Sequence, residues 1–260
     1  MPEMLEVEAY RQLAATVLGR TIVRVDAPDG WFLKGGITAG QLADALRGHR
    51  FVADRRIGKL LLLDLDHGPT LGLRFGMTGR LLVDGRASID HLEYSSDRDD
   101  RAWDRFALAF ADGGDLRLRD PRRLGGVELD PRTDRLGIDA LALTPAGLRE
   151  VLGTSEAPLK ARLMDQARVA GLGNLLTDEI LWRAGLDPAR AAGSLSPAEL
   201  RRLHRHLGTT LRELGERGGS HTGDLQAMRS RDGVCPRDGA RLMRRTIGGR
   251  TTYSCPVHQL

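Results

Sequence analysis

Along residues 4–18, Tyr10, Leu13, Ala14 and Val17 recur at helical spacing and predict an amphipathic helix that begins almost at the N-terminus. Short apolar runs follow at Leu60–Leu65, Leu71–Phe75, Arg80–Val83, Phe106–Ala111, Leu116–Arg119 and Val127–Leu129. Phe106, Leu108 and Phe110 alternate with alanines, the pattern of a strand with one buried face. Turns rich in Asp and Gly, such as Ala111-Asp112-Gly113-Gly114, separate the runs. The first half therefore predicts a sandwich of two antiparallel sheets with flanking helices. After Asp130-Pro131 the period changes. Thr144-Pro145 and Ser196-Pro197 each pair an N-cap residue with proline at the first helical position. Apolar segments at Leu148–Leu152, Leu159–Gln166, Leu175–Ala184 and Ala198–Leu214 make the second half helical. The last segment holds two Cys-containing turns joined by a hairpin, with Gly248-Gly249 near its middle. The expected class is α+β, divided into a β-sandwich at 1–135, a helical domain at 136–228 and a hairpin at 229–260.

Composition narrows this further. At 260 residues the chain can bury more than one core, and 41% hydrophobic with 28% charged residues is not the composition of a disordered chain. No apolar run approaches the roughly 18 residues of a membrane helix, so no membrane role is expected. The acidic start, with Glu3, Glu6 and Glu8, lacks the order of a signal peptide, which predicts a cytoplasmic protein. In that reducing setting the two cysteines, Cys235 and Cys255, favour a metal site over a disulfide. The net charge of +4 is concentrated. From Arg229 to Leu260 seven arginines stand against Asp232 and Asp238, a tail of +5, which is either a solvated face or a surface for a polyanion. Lysine is confined to Lys34, Lys59 and Lys160, so those positions invite a chemical reason.

The chain opens Met1-Pro2-Glu3-Met4-Leu5-Glu6-Val7-Glu8. Methionine before proline is readily removed, leaving a secondary amine, and an α-amino group titrates near pH ~8. Such an amine can attack a sugar C1′ and form an iminium that acidifies the C2′ proton, with Glu3 as proton shuttle. The plainer reading is a helix start whose acids complement the helix dipole. Further on come Arg55-Arg56-Ile57-Gly58-Lys59 before a leucine run, Arg74-Phe75-Gly76-Met77-Thr78-Gly79, and Asp120-Pro121-Arg122-Arg123-Leu124-Gly125. The stretch Leu159-Lys160-Ala161-Arg162-Leu163-Met164-Asp165-Gln166 continues into Val169-Ala170-Gly171-Leu172-Gly173-Asn174, where Gly171 and Gly173 allow a phosphate close to the backbone at a helix start. The tail reads Cys235-x2-Asp238-x16-Cys255-x2-His258, two thiolates, a carboxylate and an imidazole at metal-ligand spacing.

In this order, over nearly the whole chain, these segments resemble the formamidopyrimidine-DNA glycosylase and endonuclease VIII family, whose usual opening is Pro-Glu-Leu-Pro-Glu-Val-Glu. The resemblance implies a bifunctional DNA glycosylase and abasic-site lyase of base excision repair, acting as a monomer on damaged double-stranded DNA. It implies a Schiff base on Pro2, Glu3 as acid and base, Glu6 supporting the lesion sugar, Lys59 assisting from a hairpin tip, and nicking by β- and δ-elimination. Met77 would fill the void left by the everted base, Arg122 face the orphaned partner and Leu124, where the family commonly has phenylalanine, wedge the opposite strand. Lys160 and Asn174 in a helix–two-turn–helix element, with Arg250 in the hairpin, would grip phosphates. The family's tail is a zinc hairpin of pattern Cys-x2-Cys-x16-Cys-x2-Cys, which here implies one structural zinc on Cys235, Asp238, Cys255 and His258. A segment at 220–234, shorter than the loop that oxidised-purine members fold over the everted base, leaves oxidised or ring-opened purines, oxidised pyrimidines and bulkier adducts all open. A non-catalytic protein that binds damaged DNA is the alternative function.

Overall fold

The computed structural model describes residues 2–89, 92, 98 and 100–260. The chain forms two compact units, one reaching to Thr133 and one starting at Asp134. In the first, α1 (Met4–Ala14) and α2 (Ala39–Leu46) accompany, among the described residues, the strands β1 (Ile22–Asp26), β2 (Phe51–Ile57), β3 (Leu60–Leu65), β4 (Thr70–Arg74), β5 (Arg80–Val83), β6 (Arg86–Ala87), β7 (Asp104–Phe110), β8 (Asp115–Arg119) and β9 (Gly126–Leu129). They make two antiparallel sheets, ordered β1-β7-β8-β5-β6 and β2-β3-β4-β9. One core cluster joins both sheets and both helices, with Tyr10 from α1, Leu42 from α2, Leu63 from β3 and Phe106 from β7. Leu60–Leu63 are all buried, as an unbroken apolar run in a covered strand requires. The predicted N-terminal helix is shorter than its apolar spacing suggested. Its α-helical part ends at Ala14, and a single 3-10 turn carries Val17 into the core.

The second unit holds α3 (Pro145–Leu152), α4 (Leu159–Met164), α5 (Asn174–Ala184) and α6 (Pro197–Glu216). Two short parallel strands, β10 (Ile138–Asp139) and β11 (Val169–Ala170), bridge its start, and β12 (Met243–Ile247) and β13 (Arg250–Ser254) form a separate hairpin. Both N-caps form as the sequence predicts. The Thr144 hydroxyl accepts from Gly147 N–H at 3.0 Å, and Ser196 and Glu199 close a capping box. On α6, Leu203, Leu207, Leu211 and Leu214 face inward while the arginines stay outside. Beside the hairpin lies only a small cluster: Trp182, Leu225, Leu242 and the two cysteines. Among the described residues no helix is long and apolar enough to cross a membrane.

Candidate nucleic-acid and metal sites

In the first unit the chemistry starts at the N-terminus. Met1 lies outside the described residues; Pro2 is buried, and Glu3, 0% exposed, is the N-cap of α1. The Glu6 carboxylate, also buried, accepts from Glu3 N–H at 2.7 Å, which locks the first turn behind Pro2. Tyr10 donates to Gly79 O at 3.2 Å; burial, and then the charge of Glu6, push its phenol well above the usual range. Glu6 thus has a structural task the sequence reading did not assign to it. The turn Gly58-Lys59 closes the β2–β3 hairpin, with Gly58 at φ 57, a left-handed conformation suited to glycine. Arg56 donates to Gly58 O at 2.8 Å and to Glu8 of α1 at 3.2 Å, while Arg11 pairs with Glu8 and with Asp54. Helix α1, which follows Pro2-Glu3, is thereby tied to the strand and turn that present Lys59. Glu8 and Arg56 were quoted in the motifs, but nothing local in the sequence joins them.

The loops of Met77 and Leu124 are built together. Gly76 has φ 55, and a Cβ placed there would lie 2.5 Å from the Leu124 backbone carbon, so only glycine permits this approach. Asp120, fully buried, accepts from the backbone N–H groups of Leu124 and Gly125, both at 2.8 Å, and of Arg122 at 3.3 Å. The Thr78 hydroxyl bonds the same carboxylate from the other loop. One buried aspartate therefore shapes both loops, and an Asp-Pro turn is the sequence signal that could have pointed to it. Arg123, at φ 58, is held by Asp29 at 2.5 Å. Outside this scaffold Leu124 is 52% exposed, Arg122 is exposed without an ion pair among the described residues, and Met77 is half-buried.

In the second unit Lys160 and Asn174 both contact the strand that opens with Arg250. Asn174, at the start of α5, donates to Thr251 O at 3.1 Å. The Gln166 side chain organises the preceding loop, accepting from Gly171 N–H at 3.0 Å and donating to Leu172 O at 2.8 Å; Gly171 sits at φ 113. Lys160 departs from the expectation of a phosphate-facing cation. Its ammonium is 0% exposed, pairs with the buried Asp178 at 2.6 Å and donates to Thr252 Oγ1 at 2.7 Å, within the strand that opens with Arg250. A buried charge needs its partner close, and here the pair is spent on fastening β13. Asp178 also takes Arg229 and the Tyr253 N–H. Arg250 itself is exposed, just past Gly248-Gly249, both in the left-handed region a two-residue hairpin turn needs. The short segment before the tail is stapled to α5: Glu179 accepts from Asp224 N–H at 3.1 Å and Leu225 N–H at 2.9 Å.

Cys235, Asp238, Cys255 and His258 converge, their donor atoms all within 4.8 Å of one another, and the two cysteines are free thiols. Cys235 Sγ lies 3.7 Å from His258 Nδ1 and Cys255 Sγ 3.2 Å from Asp238 Oδ2. With metal–ligand bonds of about 2.0–2.3 Å, tetrahedral donors lie roughly 3.3–3.8 Å apart, which these two separations approach. The Asp238–His258 separation of 2.7 Å is shorter, that of a hydrogen bond, and it holds the Asp238 carboxyl far below its ordinary range. Surrounding groups are arranged for ligation. His258 Nε2 sits 3.2 Å from Trp182 O, so a proton on Nε2 would leave Nδ1 to face the cluster as a ligand once an ion takes the place of its bond to Asp238. The Trp182 indole N–H donates to Cys235 Sγ at 3.3 Å. No sequence motif singled out Trp182 for this work.

Residues 1–127 match the formamidopyrimidine-DNA glycosylase N-terminal domain, and residues 136–225 match the formamidopyrimidine-DNA glycosylase H2TH domain. The formamidopyrimidine-DNA glycosylase of Chloroflexus aggregans is 33% identical, covering 100% of this chain and 99% of its own. That of Paracoccus denitrificans is 34% identical over 100% of both. Among solved structures, MutM in complex with DNA containing carbocyclic 8-oxo-G superposes with a TM-score of 0.84 at 27% identity over 100% of both chains. The Lactococcus lactis Fpg with DNA containing an abasic site gives 0.82 at 26% identity over 99% of both. Matched in both domains and along its whole length, the chain belongs to the formamidopyrimidine-DNA glycosylase family.

Proposed function

We propose that this DNA glycosylase and abasic-site lyase of base excision repair works through a covalent bond between the nitrogen of Pro2 and the lesion sugar. Once Met1 is removed, the Pro2 amine attacks C1′. The N-glycosidic bond breaks and the base leaves with its electron pair and a proton; the C1′–O4′ bond of the sugar ring then opens, O4′ takes a proton, and an iminium remains. The C2′ proton is then acidic; its loss expels the 3′ phosphate, and a second elimination releases the 5′ phosphate. Glu3 moves the protons, Glu6 holds the turn behind Pro2 and supports the sugar, and Lys59 assists from its hairpin. The observation that carries this reading is the buried Pro2-Glu3 pair at the head of a helix braced to the Lys59 turn. Borohydride trapping on an abasic duplex tests it: Pro2→Gly should lose the trapped complex and Glu3→Gln most of the turnover. Variants that trap and cut like the parent would overturn it.

DNA is the partner, taken as damaged duplex by a monomer. Met77, Arg122 and Leu124 fill and wedge the void, and Asn174 and Arg250 hold phosphates, with Lys160 fixing the strand beneath Arg250. Residues 136–228 serve as the helix–two-turn–helix domain and 229–260 as the zinc hairpin. Relatives bound to DNA with ring-opened and oxidised purines, such as Fapy-dG and carbocyclic 8-oxo-G, support that lesion class here. The stapling of residues 224–225 to Glu179 supports an everted base with little cover, which admits bulkier adducts. Cys235, Asp238, Cys255 and His258 would hold one zinc, which supplies a cross-link for the hairpin and no chemistry. Elemental analysis of protein purified without chelator should find one zinc per chain; a ratio near zero removes it.

A further inference from the structure

Between α6 and the first turn of the tail lie two adjoining cavities of about 520 and 550 Å³, both lined by Arg183, Arg205, His206 and Arg237. Arg202 completes the wall of the larger one. These residues belong to none of the roles above.

The charge of this groove does not cancel. The acidic side chains in its walls are already matched: Glu213 and Asp224 with Arg183, Asp224 also with Arg217, and Glu199 with Arg190, which also reaches Leu260 O at 3.5 Å. Arg183 is consumed by those acids and by Glu179. The guanidiniums of Arg202, Arg205 and Arg237 have no ion pair or hydrogen bond among the described residues. Arg202 and Arg205 stand three apart on α6, neighbours on one helix face. A histidine at the bottom registers their convergence. Burial pushes the His206 imidazole down, and Arg205, Arg183, Arg202 and Arg237 push it the same way.

We infer that this groove is a second anion site, built for a phosphate group. Guanidinium forks match phosphate oxygens two at a time, and three unspent forks around a cavity of this size suit a pyrophosphate or two consecutive phosphodiesters. It is separate from the phosphate grip of Asn174. That residue opens the 11-residue helix α5 and Arg183 and Ala184 close it, about 15 Å away. The phosphate comes either from DNA that extends past the lesion or from a free ligand such as pyrophosphate; the recognising chemistry is the same.

The test compares Arg202→Gln/Arg205→Gln with Arg201→Gln/Arg212→Gln, which removes the same charge from exposed positions of α6 outside the groove. Calorimetry with pyrophosphate at low salt should show saturable binding that weakens by about tenfold or more in the groove variant and little in the control. The salt dependence of affinity is then measured for an abasic duplex just filling the lesion clamp and for one longer by roughly a helical turn. If the phosphate is that of DNA, the groove variant lowers the logarithmic salt slope by about 1–2 on the longer duplex alone. Loss of pyrophosphate binding with unchanged slopes assigns the groove to a free phosphate ligand. Cleavage of the short duplex stays as in the parent in both variants. If the groove variant and the control behave alike in both measurements, the arginines act only through the general field and the inference fails.

Discussion

Two hairpins present a cation at a two-residue turn, and they are held by opposite means. The β2–β3 hairpin with Lys59 belongs to a four-stranded sheet over the large core; β3 is bonded to β4 on its other side. Its polar braces, Glu8 to Arg56 and Arg11 to Asp54, are additions at the margin of a strand pair already secured. The β12–β13 hairpin with Arg250 has no third strand among the described residues. A lone two-stranded ribbon is marginal in water, so its fastening falls on buried polar groups. Lys160 and Asn174 bond Thr252 and Thr251, Asp178 takes the Tyr253 N–H, Asp187 pairs with Arg245, and four residues of metal-ligand type close the base. A turn over a core can tolerate the loss of an ion pair. A turn without one is only as firm as its charges.

The largest effect is expected where that dependence is deepest. Asp178→Asn leaves the ammonium of Lys160 and the guanidinium of Arg229 buried without their countercharge. Removing one partner of a buried pair costs about 3–5 kcal/mol, which urea unfolding will register, and amide exchange should rise first in β12 and β13. Arg250 loses its fixed strand with it, so affinity for an abasic duplex should fall as well. A cost under about 1 kcal/mol would mean that packing, not the ion pair, secures this hairpin.

The same contrast explains what the chain reveals before it folds. Leu60–Leu65 and Arg80–Val83 are strands with the bounds their apolar runs predict, because a core-facing strand writes its period locally. Thr144 and Ser196 are legible because a cap and its partner lie three residues apart. Strand β2 carries no comparable sign: Asp54, Arg55 and Arg56 interrupt its apolar alternation for the sake of partners on α1 and β3. The metal-ligand set is readable from its spacing, since a hairpin of fixed length sets the interval between its two ends. The burial of Lys160 is not, because its partner Asp178 stands on the next helix, and neither is the bond of Trp182 to a cysteine 53 residues away.

A smaller effect should come from Trp182→Phe. An aromatic ring and the backbone carbonyl that accepts from His258 remain, while the N–H to Cys235 is lost together with part of the buried indole volume. Groups that orient a ligand are worth roughly tenfold or more in metal affinity, so zinc competition with a chelator should show about that weakening. Cobalt substitution adds a readout that mere loss of packing would not move: the thiolate-to-metal absorption should shift when Cys235 loses its donor. Equal affinity and an identical spectrum would make Trp182 a packing residue alone. If neither protein takes up metal, the zinc reading itself fails and the hairpin must rest on Asp178.

The smallest effect belongs to the other hairpin. Burial works to raise the Glu8 carboxyl, but its bonds to Arg11 and Arg56 outweigh this and hold it below the ordinary 4.5. A carboxylate depressed in the folded state stabilises that state above its unfolded pKa, and the contribution drains away as the pH falls through the folded value. Glu8→Gln should therefore cost about 1 kcal/mol or less at pH 7, since the brace is partly open to solvent. The gap between parent and variant should hold down to about pH 4.5 and close below it. The Gly58-Lys59 turn should keep its amide protection throughout, because the sheet and not the ion pair secures it. Should Glu8→Gln instead cost as much as Asp178→Asn, the two hairpins are held alike, and the core beneath β3 contributes far less to positioning Lys59 than its burial implies.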